Sequence, residues 1–139
     1  SGVIFANMPV IIVAYSGGYM ATAWSLERGG LGKRVRGVVL MDALYGELDK
    51  FADWIIRQRS HAFFVSAFAD STRSRNSRLE QILKNRKIPV SNHLNQAIGN
   101  GSVVFIPTSS DTLHRDFVTR AWVERPIKDV LQRINLASR

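Results

Sequence analysis

Four runs of consecutive apolar residues recur along the chain, and stretches with helical periodicity lie between them. The apolar runs cover residues 9–14, 37–41, 62–68 and 103–106. Since their hydrophobicity is continuous rather than alternating, they are typical of strands that are buried on both faces of a parallel sheet. Apolar residues at helical spacing predict helices over residues 17–28, 48–57, 76–86 and 126–136. The alternation predicts an α/β fold: a mostly parallel sheet of about four strands with flanking helices and right-handed crossovers.

Length and composition indicate a single domain. The chain has 139 residues, of which 45% are hydrophobic, and this suffices for one globular domain with a core. We therefore expect residues 1–139 to form a single α/β domain. Residues 1–7 lead into the first strand without a preceding element, which predicts that the domain is the C-terminal part of a longer protein. No apolar run approaches the roughly 18 residues that a membrane-spanning helix needs.

The cysteine and histidine content restricts the chemistry. The chain has no cysteine, which excludes disulfides and thiolate metal sites. Its three histidines lie at positions 61, 93 and 114, without the spacing of a zinc motif. We therefore expect neither a metal nor another cofactor.

A net charge of +8 raises the question of an anionic partner. Basic residues cluster at 33–36, 73–78 and 84–87, beside turns and on helix faces that are predicted to be exposed. Neither a helix-turn-helix pattern nor a basic strand interleaved with aromatics accompanies them. The clusters are therefore predicted to be solvated surface, and nucleic acid is not favoured as a partner.

The most informative motif is the segment from Ala14 to Gly18, with the sequence Ala-Tyr-Ser-Gly-Gly. It joins the first apolar run to the first predicted helix. In a sharp strand-to-helix turn, bulk two residues before or after the serine would clash, which accounts for the small Ala14 and Gly18, while Gly17 would let the backbone turn. The pattern matches the nucleophile elbow, G-x-S-x-G, with alanine in the first position, and makes Ser16 the candidate nucleophile. The same residues would also suit a glycine-rich helix start that packs or binds an anion.

A serine nucleophile needs a base and a carboxylate that orients the base. His114 follows the fourth apolar run and is the candidate base. Asp70 follows the third run and Asp42 the second, so both lie at carboxyl ends of strands, where α/β sheets bind their ligands. We favour Asp70 because the third strand would lie beside the strand that precedes His114. Asp42 remains the alternative acid or a structural cap, and Asp111 is a third candidate.

The order of elbow serine, two further strands, strand-end aspartate, last strand and histidine resembles the C-terminal half of the α/β-hydrolase superfamily, over nearly the whole chain. The resemblance implies an incomplete α/β-hydrolase fold and a serine hydrolase that cleaves ester, thioester or amide bonds through an acyl-enzyme. It implies a triad of Ser16, His114 and Asp70, with Asp42 as the alternative acid.

In that family, one oxyanion donor is the backbone N–H of the residue after the nucleophile, here Gly17. The second donor comes from an earlier loop, which this sequence does not contain. Since loss of one donor lowers the rate by about 10²–10³, the resemblance also allows an inactive chain. The alternative function is a non-catalytic α/β-hydrolase-like module that binds a partner, because a fold does not fix a function.

Two further expectations concern the substrate and the surface. An acyl compound is the expected small-molecule substrate, and Tyr15 and Tyr45 are candidates to line its binding site, although both are equally suited to packing. Without strands to flank it, the run at residues 9–14 would form a bare apolar sheet edge. Such an edge favours pairing with a second copy of the chain, so we expect a homo-oligomer through the first strand.

Overall fold

The structure is a computed structural model and describes residues 8–28, 34–94, 97–119, 121 and 125–134. Its centre is a sheet of four parallel strands, which lie side by side in the order of the sequence. The strands are β1 (Val10–Tyr15), β2 (Val35–Met41), β3 (Phe63–Phe68) and β4 (Val103–Pro107). The predicted α/β class, a parallel sheet with flanking helices, is confirmed.

Helices connect the strands, because parallel neighbours cannot be joined by a tight hairpin. One helix follows each strand, and the helices are α1 (Gly18–Arg28), α2 (Leu48–Arg57), α3 (Arg73–Asn85) and α4 (Pro126–Arg133). Two short 3-10 turns follow β3 and β4. We name them the β3 turn (Asp70–Thr72) and the histidine turn (His114–Val118).

Some element boundaries differ from the predicted ones. β2 begins at Val35 rather than at residue 37. α3 begins at Arg73 rather than at residue 76, because the β3 turn leads straight into it. α4 ends at Arg133, and residues 135 and 136 of the predicted last helix lie outside the described residues.

Apolar side chains pack on both faces of the sheet. On one face, α1, α2 and α3 cover a core that contains a row of phenylalanine rings. The ring centroids of Phe51 and Phe64 are 6.1 Å apart, and those of Phe64 and Phe105 are 5.7 Å apart. On the other face, Phe117 of the histidine turn and Val130 of α4 are fully buried against the sheet. Since each such side chain contributes roughly 1.5–3 kcal/mol when buried, the two layers together fix the ends of the strands relative to one another.

β1 forms one end of the sheet, and within the described residues its strand partner is β2. Val13 in this strand is 39% exposed, whereas every residue of β3 is buried. Met8, just before β1, and Met20 and Trp24 of the adjacent helix α1 are also exposed large hydrophobics. β1 therefore has the character expected of an apolar edge strand.

Candidate active site

Ser16 lies in the turn between β1 and α1. β1 ends at Tyr15 and α1 begins at Gly18. Ser16 adopts a φ of 55°, a left-handed conformation that is uncommon for residues other than glycine. A Cβ atom added to Gly18 would lie 3.3 Å from the Cβ of Ala14, which is closer than ordinary van der Waals contact. The crowding expected between positions 14 and 18 is therefore present.

Gly17 contributes to this turn in a different way from the one expected. The left-handed φ belongs to Ser16, and the φ of Gly17 lies outside that region. A Cβ atom added to Gly17 would meet nothing within 4 Å. The prediction that Gly17 supplies the conformational freedom of the turn is therefore wrong, because the unusual conformation is carried by the serine itself.

Asp42 follows β2 directly and is fully buried. Its carboxylate accepts four hydrogen bonds. Oδ1 accepts one from the backbone N–H of Ala69 at 3.1 Å and one from the Thr72 hydroxyl at 2.6 Å. Oδ2 accepts one from the Ser71 hydroxyl at 2.9 Å and lies 2.6 Å from Nδ1 of His114. Three of these four partners belong to the end of β3 or the β3 turn, so this segment forms a cradle for the carboxylate.

Two opposing effects act on the pKa of Asp42. Burial raises it, whereas the hydrogen bonds from Thr72, His114, Ala69 and Ser71 lower it, and the sum of these bonds prevails. The pKa of Asp42 therefore lies below its ordinary value of 3.8. Because hydrogen bonds to the ionised form stabilise that form, Asp42 is a carboxylate at neutral pH.

The ionised Asp42 determines which tautomer His114 adopts. A carboxylate only accepts hydrogen bonds, so Nδ1 of His114 carries the proton and donates it across the 2.6 Å separation. In the neutral ring, Nε2 is then unprotonated and can accept a proton. The His114 side chain is 35% exposed, whereas that of Asp42 is 0% exposed. The pair thus has a fully buried carboxylate and a partly exposed imidazole.

Asp70, the acid favoured from the sequence, is not the partner of His114. It is exposed, and its Oδ1 accepts a hydrogen bond of 2.9 Å from Nε of Arg73. Arg73 also donates to the backbone carbonyl of Thr108 at 3.1 Å, so Asp70 belongs to a surface link between the β3 turn and the end of β4. The physical reason is the path of the chain after β4, which passes the end of β3 and brings His114 to the end of β2. The expected contact between Asp70 and His114 is therefore absent, and the aspartate bonded to His114 is Asp42, the alternative from the sequence.

Aromatic side chains surround the imidazole. The Tyr15 ring stacks on that of His114, with centroids 4.7 Å apart and planes 24° from parallel. The Tyr45 ring meets His114 edge-on at 6.1 Å, and the Tyr19 ring lies 6.0 Å from that of Tyr45. The two tyrosines expected to line the substrate site therefore both contact the candidate base. They restrict its ring to one plane and cover part of its surface.

Stacking on Tyr15 brings His114 next to the elbow, since Tyr15 is the residue before Ser16. Among the described residues, no hydrogen bond joins the Ser16 hydroxyl to His114. Nucleophile and base are often farther apart in free enzymes than in their complexes with substrate. The arrangement thus consists of a hydrogen-bonded carboxylate–imidazole pair beside a half-buried serine in the strand-to-helix turn.

No family model, curated protein or solved structure matches this chain. The α/β class is established by the sheet and its helices, whereas the α/β-hydrolase resemblance rests on the order of the sequence motifs. Within the part of the chain that the structure describes, no helix is long and apolar enough to cross a bilayer. The same residues contain no group of three or more histidines and carboxylates that could hold a metal ion.

Sequence reasoning missed the hydroxyl groups that hold Asp42. Ser71 and Thr72 follow Asp70 directly, so their position after the third strand was visible in the sequence. It also missed Ser66, a polar residue inside an apolar run, and Asn76, which is buried in the first turn of α3. A polar residue in an otherwise apolar strand was the available signal, because a buried hydroxyl requires a hydrogen-bond partner.

Proposed function

We propose that the protein is a serine hydrolase that cleaves ester, thioester or amide bonds through an acyl-enzyme intermediate. Ser16 is the nucleophile, His114 the general base and Asp42 the acid that orients the base. The observation that carries this proposal is the hydrogen bond between the buried Asp42 carboxylate and the partly exposed His114, beside the strand-to-helix turn that holds Ser16. An ionised carboxylate, an imidazole and a serine hydroxyl at one sheet edge are the three groups that this chemistry needs.

The first half of the reaction forms the acyl-enzyme. Oγ of Ser16 attacks the carbonyl carbon of the substrate while Nε2 of His114 takes the hydroxyl proton. The carbonyl oxygen becomes an oxyanion, and the backbone N–H of Gly17 is the proposed donor to it. When the tetrahedral intermediate collapses, the bond to the leaving group breaks, and His114 returns the proton to the departing alcohol, thiol or amine.

The second half releases the acid. A water molecule gives a proton to Nε2 of His114 and attacks the acyl carbonyl, and collapse of the new intermediate frees the Ser16 hydroxyl together with a carboxylic acid. In both halves His114 becomes an imidazolium, which Asp42 stabilises through the Nδ1–H bond. Because its pKa is lowered, Asp42 remains charged throughout and does not itself take up the proton.

The tyrosines that contact His114 have a proposed role in substrate binding. Tyr15 and Tyr45 form walls on two sides of the imidazole, so an acyl group that reaches Ser16 passes next to their rings. Aromatic walls suit apolar acyl chains, because burial of apolar surface drives their binding. We therefore propose a small acyl compound as the substrate.

A labelled fluorophosphonate tests the proposal, because this reagent modifies only activated serines. We expect modification of the unaltered chain at Ser16, located by peptide mapping, and loss of labelling in Ser16→Ala. His114→Ala should lower the labelling rate by about 10²–10⁴, the usual contribution of a general base. Ser109→Ala and His93→Ala, which change an exposed serine and an exposed histidine elsewhere, serve as matched controls and should label normally.

Two results would overturn the proposal. One is the absence of labelling at Ser16 in the unaltered chain, which would favour the non-catalytic binding module. The other is labelling at a rate that His114→Ala does not change, because the serine would then react without a base.

We also propose that the edge of β1 is the surface for self-association. Among the residues that the structure describes, β1 lies at one end of the sheet, and the exposed Val13, Met8 and Met20 lie on or beside it. An edge strand presents unpaired backbone N–H and C=O groups that a second strand can satisfy. A second copy of the chain offers the same edge, so the proposed assembly is a homo-oligomer.

A further inference from the structure

A line of hydrogen-bonded polar side chains leads from the imidazole into the interior of the domain. Beyond Asp42, the Thr72 hydroxyl contacts Oδ1 of the carboxylate at 2.6 Å. Nδ2 of Asn76 donates to the backbone carbonyl of Thr72 at 2.9 Å and to its hydroxyl oxygen at 3.3 Å. The hydroxyl of Ser66, in the middle of β3, lies 2.5 Å from Oδ1 of Asn76. We name these residues the polar line: Ser66, Asn76, Thr72 and Asp42.

The polar line accounts for most of the buried polar side chains. Five polar or charged residues in the described part of the chain are buried, and four of them belong to the polar line. The fifth, Thr22, donates its hydroxyl to the Gly18 carbonyl of its own helix at 2.8 Å. A buried polar group without a partner costs about 1–3 kcal/mol. Apolar residues at these positions would need no hydrogen-bond partners and would avoid this risk. The polar line therefore calls for an explanation beyond packing.

The geometry fixes the direction of every hydrogen bond in the polar line. A backbone carbonyl only accepts, so the atom of Asn76 that faces the Thr72 carbonyl must be the amide nitrogen. This leaves Oδ1 of Asn76 facing Ser66, whose hydroxyl donates to it. The same amide donates to the Thr72 hydroxyl oxygen, so the Thr72 hydrogen is directed at Asp42. The side-chain donors of Ser66, Asn76 and Thr72 thus follow one another in the direction of the carboxylate.

These hydrogen bonds determine the orientation of the Asp42 carboxylate relative to His114. Oδ1 is held by the Thr72 hydroxyl and the Ala69 N–H, both in fixed directions. With that oxygen anchored, the plane of the carboxylate is set, and Oδ2 is the oxygen that faces His114. Rotation of the carboxylate would break two buried hydrogen bonds at once.

We propose that Thr72 and Asn76 are positioning residues, which hold the Asp42 carboxylate in the orientation that keeps the proton of His114 on Nδ1 and leaves Nε2 free. The inference rests on the proposed serine hydrolase for its catalytic consequence. Its structural part, control of the Asp42–His114 bond, does not depend on any substrate.

The test compares Thr72→Val, which has nearly the same shape but no hydroxyl, with Thr72→Ser, which keeps the donor. The matched control is Thr22→Val, which removes a buried threonine hydroxyl outside the polar line. A first readout is the far-downfield ¹H NMR signal of the His114 Nδ1–H. We expect this signal to move upfield or broaden in Thr72→Val and to be retained in Thr72→Ser and Thr22→Val.

The second readout is the rate of fluorophosphonate labelling as a function of pH. Loss of a hydrogen bond to a charged group predicts a labelling rate about 10-fold lower at neutral pH in Thr72→Val. With one donor fewer, the negative charge of Asp42 stabilises the protonated imidazole more strongly. Because the protonated ring cannot accept a proton from Ser16, the pH of half-maximal labelling should rise. The other titratable groups that contact the imidazole, Tyr15 and Tyr45, are the same in all variants. Thr72→Ser should restore the rate to within about 3-fold.

Ser66→Ala provides a second variant in case Thr72→Val does not fold. It removes the far end of the polar line, and we expect a shift of the NMR signal in the same direction but smaller. Positioning is overturned if folded Thr72→Val or Ser66→Ala leaves both the Nδ1–H signal and the pH profile unchanged. If the signal responds as expected while Ser16 of the unaltered chain is never labelled, positioning stands and the proposed hydrolase function is wrong.

Discussion

The carboxylate of Asp42 and the imidazole of His114 are separated by 72 positions in the chain and joined by a hydrogen bond of 2.6 Å. The carboxylate is fully buried and the ring is partly exposed. Because the β3 turn and the end of β3 supply three further donors to Asp42, the pair is built from three separate strand ends. Because Asp42 contacts His114 and Asp70 contacts Arg73 instead, substitutions at the two aspartates should have different effects.

The first prediction concerns the choice between those aspartates. Asp42→Asn should lower the rate of Ser16 labelling by about 10⁴-fold, because an amide at this place favours the wrong tautomer of the base. Asp70→Asn is the matched control and should label within about 3-fold of the unaltered rate, since its loss removes an exposed ion pair of small energy. Rates measured with a fluorophosphonate under pseudo-first-order conditions decide the matter. Equal losses in the two variants would contradict the assignment of Asp42.

The second prediction concerns the dependence of stability on pH. The pKa of Asp42 in the folded protein lies below its ordinary value of 3.8, so the unfolded chain binds a proton at Asp42 more readily than the folded one. The stabilisation from Asp42 is therefore fully present above that ordinary value and is lost as the pH falls through the lower, folded-state pKa. Urea unfolding at a series of pH values measures the effect.

Asp42→Asn should flatten the acid limb of that stability profile, because an amide does not titrate. Asp111→Asn changes an exposed carboxylate in the loop before the histidine turn and serves as the control. An acid limb of unchanged slope in Asp42→Asn would show that other groups govern acid unfolding.

The third prediction concerns the conformation of the elbow. A left-handed φ costs a residue with a Cβ atom roughly 1–2 kcal/mol, and Ser16 has a φ of 55°. Ser16→Gly should therefore be more stable than Ser16→Ala by about 1 kcal/mol, although both lack the proposed nucleophile. Denaturant unfolding of the two variants measures the difference in the free energy of unfolding.

The same pair of substitutions at Ser77, an exposed position inside α3, is the matched control. There glycine should be the less stable of the two by about 1 kcal/mol, because it weakens a helix interior. The same order of stability at both positions would mean that Ser16 is not strained.

The fourth prediction concerns the edge of the sheet. Val13→Lys places a charge on β1, a device that protects edge strands from pairing. If the edge of β1 mediates self-association, the variant should be monomeric at concentrations at which the unaltered chain is oligomeric. Size-exclusion chromatography with light scattering over a concentration series measures the masses.

Leu131→Lys, which changes another exposed hydrophobic residue, on α4, is the control and should leave the oligomer intact. A monodisperse monomer of the unaltered chain at every concentration would rule out the proposed assembly.

The sheet was predictable because continuous apolar runs carry a strong signal. The runs that end near Ala14 and Met41 became β1 and β2, and the small Ala14 and Gly18 are crowded as steric reasoning requires. The position of His114 near the carboxyl ends of the strands also followed from strand polarity. These features depend on residues that are close in the sequence or on a rule that holds for every parallel sheet.

The partner of His114 was not predictable on the same grounds. The adjacency of β3 and β4 favoured Asp70, but the position of His114 depends on how far the chain travels after β4, and no local pattern encodes that path. The positive φ of Ser16 was also missed, because propensity assigns such conformations to glycine. In both cases tertiary packing overrides the local preference.

The ends of all four strands contribute a residue to the candidate site. These residues are Tyr15 at the end of β1, Asp42 after β2, Thr72 after β3 and His114 after β4. Asp42 and His114 are held by the ends of β2, β3 and β4, and β1 adds Tyr15 and the turn that carries Ser16. A shift of one strand by a single residue would turn its side chains to the other face. In the proposed hydrolase, the reactivity of Ser16 therefore reports on the assembled sheet as a whole. In denaturant, reactivity and global structure should disappear in one transition rather than in succession.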